Sequence, residues 1–225
     1  MGLGHSPTII TDGLVFSIDA ANSRSYSGSG VTVNGLIGGI GGTLVNGVGF
    51  SSLNSGYFSF DGTNDYILIP DNSSLNTFTN MTLEVIVRYT TTNDQIFAQK
   101  WNYSGGSQGY TLEIYTSAIV AACYASGSSY LSVSISGYPI NNTYHIILTL
   151  SGSTQTLYIN GVSVATNSSG SVPNISGTSF TIGNRSNLSG TYLGGNVYST
   201  KFYNRALSAT EIKQNYNATK RRYGL

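Results

Sequence analysis

Apolar and polar residues alternate along most of this chain with the two-residue period of a β-strand. Residues 81–89 are the clearest run: Met81, Leu83, Val85 and Val87 share one face, and Thr82, Glu84, Ile86 and Arg88 share the other. Similar runs predict strands at 13–19, 57–60, 66–69, 95–100, 110–115, 119–124, 130–135, 144–150, 155–159, 162–166, 179–183 and 195–203. Asn160-Gly161 separates two of them, and this pair supplies the positive φ angles of a type I′ hairpin. One helix is predicted, over 209–217. Ser208 is its N-cap, and Glu211 three residues on completes a capping box. Leu207, Ile212 and Tyr216 are placed to pack back on the strands. Seven glycines between Gly28 and Gly42 predict a long loop over 27–49.

Composition narrows the class. Gly, Ser, Thr and Asn make up nearly half of the 225 residues, and only 8% are charged. A disordered chain would be less apolar and more charged, and a helical bundle would be rich in Ala, Glu, Lys, Leu and Arg. No apolar run is long enough to span a membrane as a helix. About a dozen short strands with one helix predict an all-β, single two-sheet antiparallel sandwich. Its expected limits are an N-terminal arm at 1–12, the sandwich at 13–217 and a basic tail at 218–225. The net charge of +1 gives no basic field for nucleic acid. The first residues lack a basic n-region and an apolar h-region, so no signal peptide is expected and synthesis is placed in a cytoplasm.

The chain carries little catalytic chemistry. Its nine acids include no closely spaced set on one strand, whereas a retaining glycosidase needs two carboxylates about 5 Å apart. Glu84 and Glu113 read as solvated residues on separate strands. Cys123 lies in an apolar strand and reads as a small buried hydrophobe. His145 reads as structural. No catalytic residue is assigned, and the protein is expected not to be an enzyme.

Several segments, in order along the chain, resemble the laminin-G-like, concanavalin A-like lectin/glucanase superfamily. They are GLVFSIDAANSRSYSGSG, FSFDGTNDYILIP, TFTNMTLEVIVRY, YHIILTLSGSTQTLYINGVSVAT and FTIGNRSNLSGTYLGGNVYSTKFYNRALSATEIKQNYNATKRRYGL. The opening and closing segments resemble the variant found in phage structural proteins. The resemblance implies a concanavalin A-like jelly roll. It also implies a virion-surface role, as capsid or tail decoration, with other virion proteins or further copies of the chain as partners. The alternative is a carbohydrate-binding module for host adsorption. The family's Glu-x-Asp-x-x-Glu glucanase strand is missing here.

Three groups of residues carry the functional expectations. Trp101, Asn102, Tyr103 and Tyr110 around a Gly-rich loop offer an aromatic platform for a glycan, with Asn184, Arg185, Ser186 and Asn187 as polar partners. The bland alternative packs Trp101 on the sandwich edge. Asp61, Asn64 and Asp65 offer oxygens for calcium, or else cap their own turn by side-chain-to-backbone hydrogen bonds. Lys220, Arg221 and Arg222 are either a solvated tail or a docking element for an acidic partner. No other cofactor is expected.

Overall fold

A computed structural model describes residues 7–76, 79–104, 107–125, 128–171 and 175–225. In chain order the strands are β1 (Leu14–Asp19), β2 (Thr32–Val33), β3 (Gly42–Val45), β4 (Gly49–Ser51), β5 (Tyr57–Asp61), β6 (Tyr66–Ile69), β7 (Asn80–Tyr89) and β8 (Gln95–Asn102). They continue with β9 (Gln108–Tyr115), β10 (Ala118–Tyr124), β11 (Leu131–Ser134), β12 (Thr143–Ser151), β13 (Thr154–Ile159), β14 (Val162–Asn167), β15 (Phe180–Ile182) and β16 (Gly194–Tyr203). A single α-helix, α1 (Ala209–Tyr223), closes the described chain.

The strands form two antiparallel sheets. The first runs β14-β13-β12-β7-β16-β5-β4, with β1 also paired to β16, and the second runs β11-β10-β9-β8-β15-β6-β3-β2. This is the two-sheet antiparallel sandwich expected from the strand pattern, and the jelly roll that the resemblance implies. The inner faces meet in one apolar core. Met81, Leu83, Val85 and Val87 of β7 enter it from the first sheet, with Ile146, Leu148 and Leu150 of β12 beside them. Tyr110, Leu112 and Ile114 of β9 and Ile119, Ala121 and Cys123 of β10 enter from the second. The alternation in β9 therefore turns Thr111, Glu113 and Tyr115 outward.

The β13–β14 hairpin turns on Asn160 (φ 51°) and Gly161 (φ 75°), both in the left-handed region that a type I′ turn demands. The Asn160 side chain adds a lock by accepting a hydrogen bond from His145 N at 3.0 Å.

Four expectations need correction. The stretch 27–49 is not one long loop, because it contributes β2, β3 and the start of β4. Its glycines let the backbone approach its neighbours: a Cβ on Gly42 would lie 2.7 Å from the Leu68 carbonyl oxygen. The helix does not end at 217. Nothing in 218–223 breaks it, and Ile212, Asn215, Thr219 and Tyr223 keep one face buried until Gly224 caps it at φ 66°.

The basic tail is consequently the last helical turn, where cations offset the negative end of the helix dipole. Arg222 forms a bidentate pair with Asp19 (2.6 and 2.7 Å), Lys220 lies over the Tyr216 ring, and Arg221 is exposed. These three residues thus belong to α1 and are not a free tail.

Glu84 is the fourth correction. It is fully buried rather than solvated, because α1 covers the outer face of the first sheet. Lys201 Nζ and His145 Nε2 lie 2.7 and 3.2 Å from one carboxylate oxygen, and Asn215 Nδ2 donates to the other at 2.8 Å. Burial pushes this carboxyl upward, but Lys201 and His145 outweigh it and hold it well below the usual carboxylate range. The expected structural role of His145 agrees with this placement.

The described part of the N-terminal arm completes the cover. Ile10 N donates to the Asn215 side chain, Tyr203 Oη donates to the Ile10 carbonyl, and Gln214 donates to the Thr8 carbonyl. His5 and the rest of 1–6 lie outside the described residues.

Candidate functional site

Among the described residues no helix covers the outer face of the second sheet. Strands β8, β9 and β10, together with Tyr103, Ser107, Thr116 and Arg185, frame a groove of about 490 Å³. Its lining includes Gln99, Trp101, Tyr103, Glu113, Tyr115, Val120, Tyr130, Ser132 and Arg185.

One side of the site is aromatic. Trp101 stacks on Tyr124 (centroids 5.5 Å apart) and on Tyr130 (6.2 Å), and Tyr124 stacks on Tyr130 (5.0 Å). Only 5% of Trp101 is exposed, against 48% of Tyr130. The indole is therefore the base of the stack, and Tyr130 is the ring it offers to solvent. The register explains the grouping. Trp101 faces Gly109 across β8–β9, and with no side chain there the indole extends over the sheet toward β10.

Gln99 organises the polar side. Its Oε1 accepts from Tyr103 Oη (2.9 Å) and from Ser186 N (3.1 Å), and its Nε2 donates to Thr111 (3.3 Å). Ser186 Oγ in turn accepts from Trp101 N and donates to the Gln99 carbonyl. These bonds fix the loop that carries Arg185. Glu113 is half-buried in the groove, and burial pushes its carboxyl up to about 7, with Arg185 drawing it down and Asp94 adding to the rise.

The structure separates the sequence-derived glycan candidates. Trp101 and Tyr103 line the groove, although Trp101 belongs to a strand rather than an exposed loop. Tyr110 is corrected: it points into the core, fully buried, and donates to the Leu75 carbonyl. Asn184 is corrected likewise, being buried with its Oδ1 accepting from Arg185 N. Asn102 and Asn187 accept from Ser104 N and from Ser189, so each closes its own turn. Glu113, Tyr115 and Tyr130 were not among the candidates. Alternation along β9 was the available signal, since it puts Glu113 on the same outer face as Tyr115.

Asp61 and Asp65 spend carboxylate oxygens on the backbone of their own turn. Asp61 Oδ1 accepts from Thr63 N (2.7 Å) and Asn64 N (3.3 Å), while the Oδ2 of the buried Asp65 accepts from Asp61 N (3.1 Å). The carboxylates cap the turn through side-chain-to-backbone hydrogen bonds, the alternative the sequence offered. Among the described residues no group of three or more His, Cys, Asp or Glu is gathered to hold a metal.

The concanavalin A-like lectin/glucanases superfamily matches residues 61–213, more than half of the chain. The chain belongs to this superfamily. No curated protein sequence matches it. Among solved structures, this superfamily member is similar to a Trypanosoma rangeli sialidase in complex with sialic acid (TM-score 0.69, 15% identity), covering 99% of this chain and 35% of the sialidase. It is similar to the binding domain of Paraclostridial Mosquitocidal Protein 1 (TM-score 0.69, 19% identity, 92% of this chain and 52% of that one). It is also similar to domain 4 of AbnA, an extracellular arabinanase of Geobacillus stearothermophilus, in complex with arabinotriose (TM-score 0.69, 14% identity, 90% and 98%). The chain thus spans about a third of the sialidase. At these identities the likeness is one of fold.

The acids of this jelly roll are dispersed. Among the described residues Glu113 is the one carboxyl lining the groove. Asp94, nearby, accepts from Thr116 N at 2.8 Å. Glu84 is sealed under α1, and Glu211 holds Arg205 and the capping box.

Proposed function

We propose that this domain is a non-enzymatic carbohydrate-binding module whose ligand lies in the groove on the outer face of the second sheet. The observation that carries this reading is the stacked wall of Trp101, Tyr124 and half-exposed Tyr130 in one groove with Glu113 and Arg185. A pyranose or furanose ring has an apolar C–H face and a rim of hydroxyls. An aromatic surface beside a few polar groups matches both. Glu113 is the one carboxyl in the groove among the described residues, which supports binding over the two-carboxylate hydrolysis that most glycosidases use. The similar arabinanase domain in complex with arabinotriose favours the same reading.

Glycan-array retention of the wild type and of Tyr130→Ala tests it. Aromatic stacking contributes about 0.5–1.5 kcal/mol, so the variant weakens retention roughly 2- to 10-fold. Unchanged retention, or oligosaccharide release by the wild type, overturns it.

A second reading concerns setting. The closing segment YNRALSATEIKQNYNATKRRYGL resembles phage structural proteins and favours a virion-surface decoration role, with the groove facing the medium. Mass spectrometry of purified particles measures copies per particle. Hundreds of copies support decoration of a capsid or tail tube, a handful support a fibre or baseplate tip, and none removes the virion setting.

A further inference from the structure

The charge arrangement in the groove selects among glycans. Among the described residues, the Arg185 guanidinium has no carboxylate within 4.0 Å, whereas Arg205 has two and Arg222 has one. Arg185 is held over the groove from its backbone side, by the Ser186–Gln99 bonds and by Arg185 N on Asn184. Its planar fork therefore stays available beside the Tyr103 and Tyr130 rings. Guanidinium forks pair bidentately with carboxylates. Glu113 lines the same groove and forms no salt bridge among the described residues.

We propose that the groove takes a carboxylated sugar, its carboxylate on Arg185 and Glu113 beside it as a hydrogen-bond donor. This rests on the carbohydrate-binding reading and narrows it to acidic glycans.

The pH dependence follows from what faces Glu113. Arg185 faces it from the segment after β15, Asp94 from the head of β8, Tyr103 from the loop after β8, Tyr115 from β9 itself and Tyr130 from the approach to β11. Its partner across β10 is Val120, which does not titrate. Burial dominates, so the carboxyl reaches about 7 despite Arg185. Below that pH Glu113 is protonated and donates to an oxygen of the ligand. Above it Glu113 is charged and repels the ligand's carboxylate. Affinity for acidic sugars therefore falls as pH rises through 7, by at most about tenfold per pH unit for one linked proton.

The test is an array of glucuronate-, galacturonate- and sialate-terminated oligosaccharides beside their neutral counterparts, read at pH 6 and pH 8. Wild type is expected to retain the carboxylated forms at least tenfold better at pH 6 and to lose several-fold at pH 8. Arg185→Gln loses the preference, Arg185→Lys recovers part of it, and Glu113→Gln, whose amide donates but cannot ionise, flattens the pH profile. Near-UV circular dichroism checks that each variant is folded. Preference for neutral glycans, survival of the acidic preference in Arg185→Gln, or an unchanged pH profile in Glu113→Gln overturns the inference while leaving carbohydrate binding in place. Retention of no glycan at all overturns both.

Discussion

Replacing Glu84 by Gln removes the central charge of the cluster under α1 while keeping the side chain's shape. In the wild type its carboxylate takes Lys201 at 2.7 Å, His145 at 3.2 Å and Asn215 at 2.8 Å. Glu84 is fully buried and Lys201 is 5% exposed, so the variant leaves an ammonium group out of water without a counter-ion. Removing one partner of a buried pair costs about 3–5 kcal/mol. The amide still accepts one hydrogen bond, which places the loss toward the lower end. For a domain of this length each kcal/mol moves Tm by about 2–4 °C, so Tm falls by roughly 6–12 °C.

Adding Lys201→Met to Glu84→Gln removes the stranded charge and recovers at least half of that loss. The sign with pH is fixed. Glu84 is held below its unfolded value of 4.5, so its contribution is full above that value and is lost as pH falls below it. Wild-type Tm therefore drops more steeply than that of Glu84→Gln between pH 6 and pH 3. Thermal melts followed by circular dichroism measure both quantities. A Glu84→Gln Tm within 2 °C of wild type at pH 7, or a double variant no better than the single, refutes the reasoning.

Three further outcomes are expected. Tyr110→Phe removes the hydroxyl that donates to the Leu75 carbonyl, costing about 1 kcal/mol in urea denaturation, and leaves glycan retention unchanged because the ring lies in the core. Ser208→Ala breaks a capping box whose hydroxyl accepts from Glu211 N, and lowers urea-measured stability by about 1 kcal/mol. Cys123 is fully buried, and burial pushes its thiol far above the usual range, so a thiol reagent labels it only after denaturant unfolds the chain.

The sandwich was legible because its strands are built from strict alternation, and alternation depends on local residues alone. The 81–89 run extends by one residue to become β7, and the Asn160-Gly161 hairpin stands where its φ preferences put it. What alternation does not reveal is which outer face is covered. Glu84 and Glu113 look alike in sequence, each a lone acid in a strand. One lies under a helix that arrives more than a hundred residues later, and the other lies in an open groove.

The helix was cut short for the same reason. Thr219 and Tyr223 continue its buried face, but the three cations between them read as a tail without the Asp19 and Tyr216 that receive them. Trp101 and Tyr103 were found by residue type. Tyr130 was not, because the stack that makes it significant forms across β8, β10 and the approach to β11.

The two outer faces of the sandwich then explain one another. The first carries Leu14, Ile147 and Tyr203, which join Leu207 and Ile212 in a second apolar cluster, and Ile86 and Tyr198, which join Tyr223 in a third. These side chains, with the Glu84 ion cluster among them, demand a cover, and α1 with residues 8–10 supplies it. The second outer face carries Trp101, Val120, Tyr124 and Tyr130 with no helix over them. Its acid is pushed toward neutrality by the same burial, without the Lys201-like partner that would pin it ionised. A half-exposed ring on a buried stack, beside a guanidinium with no ion pair among the described residues and a carboxyl poised near neutral pH, is the kind of surface that points to a ligand. A ligand carboxylate on Arg185 and a sugar ring on Tyr130 would satisfy both groups, which is why the binding surface is assigned to this face and not to the helix-covered one.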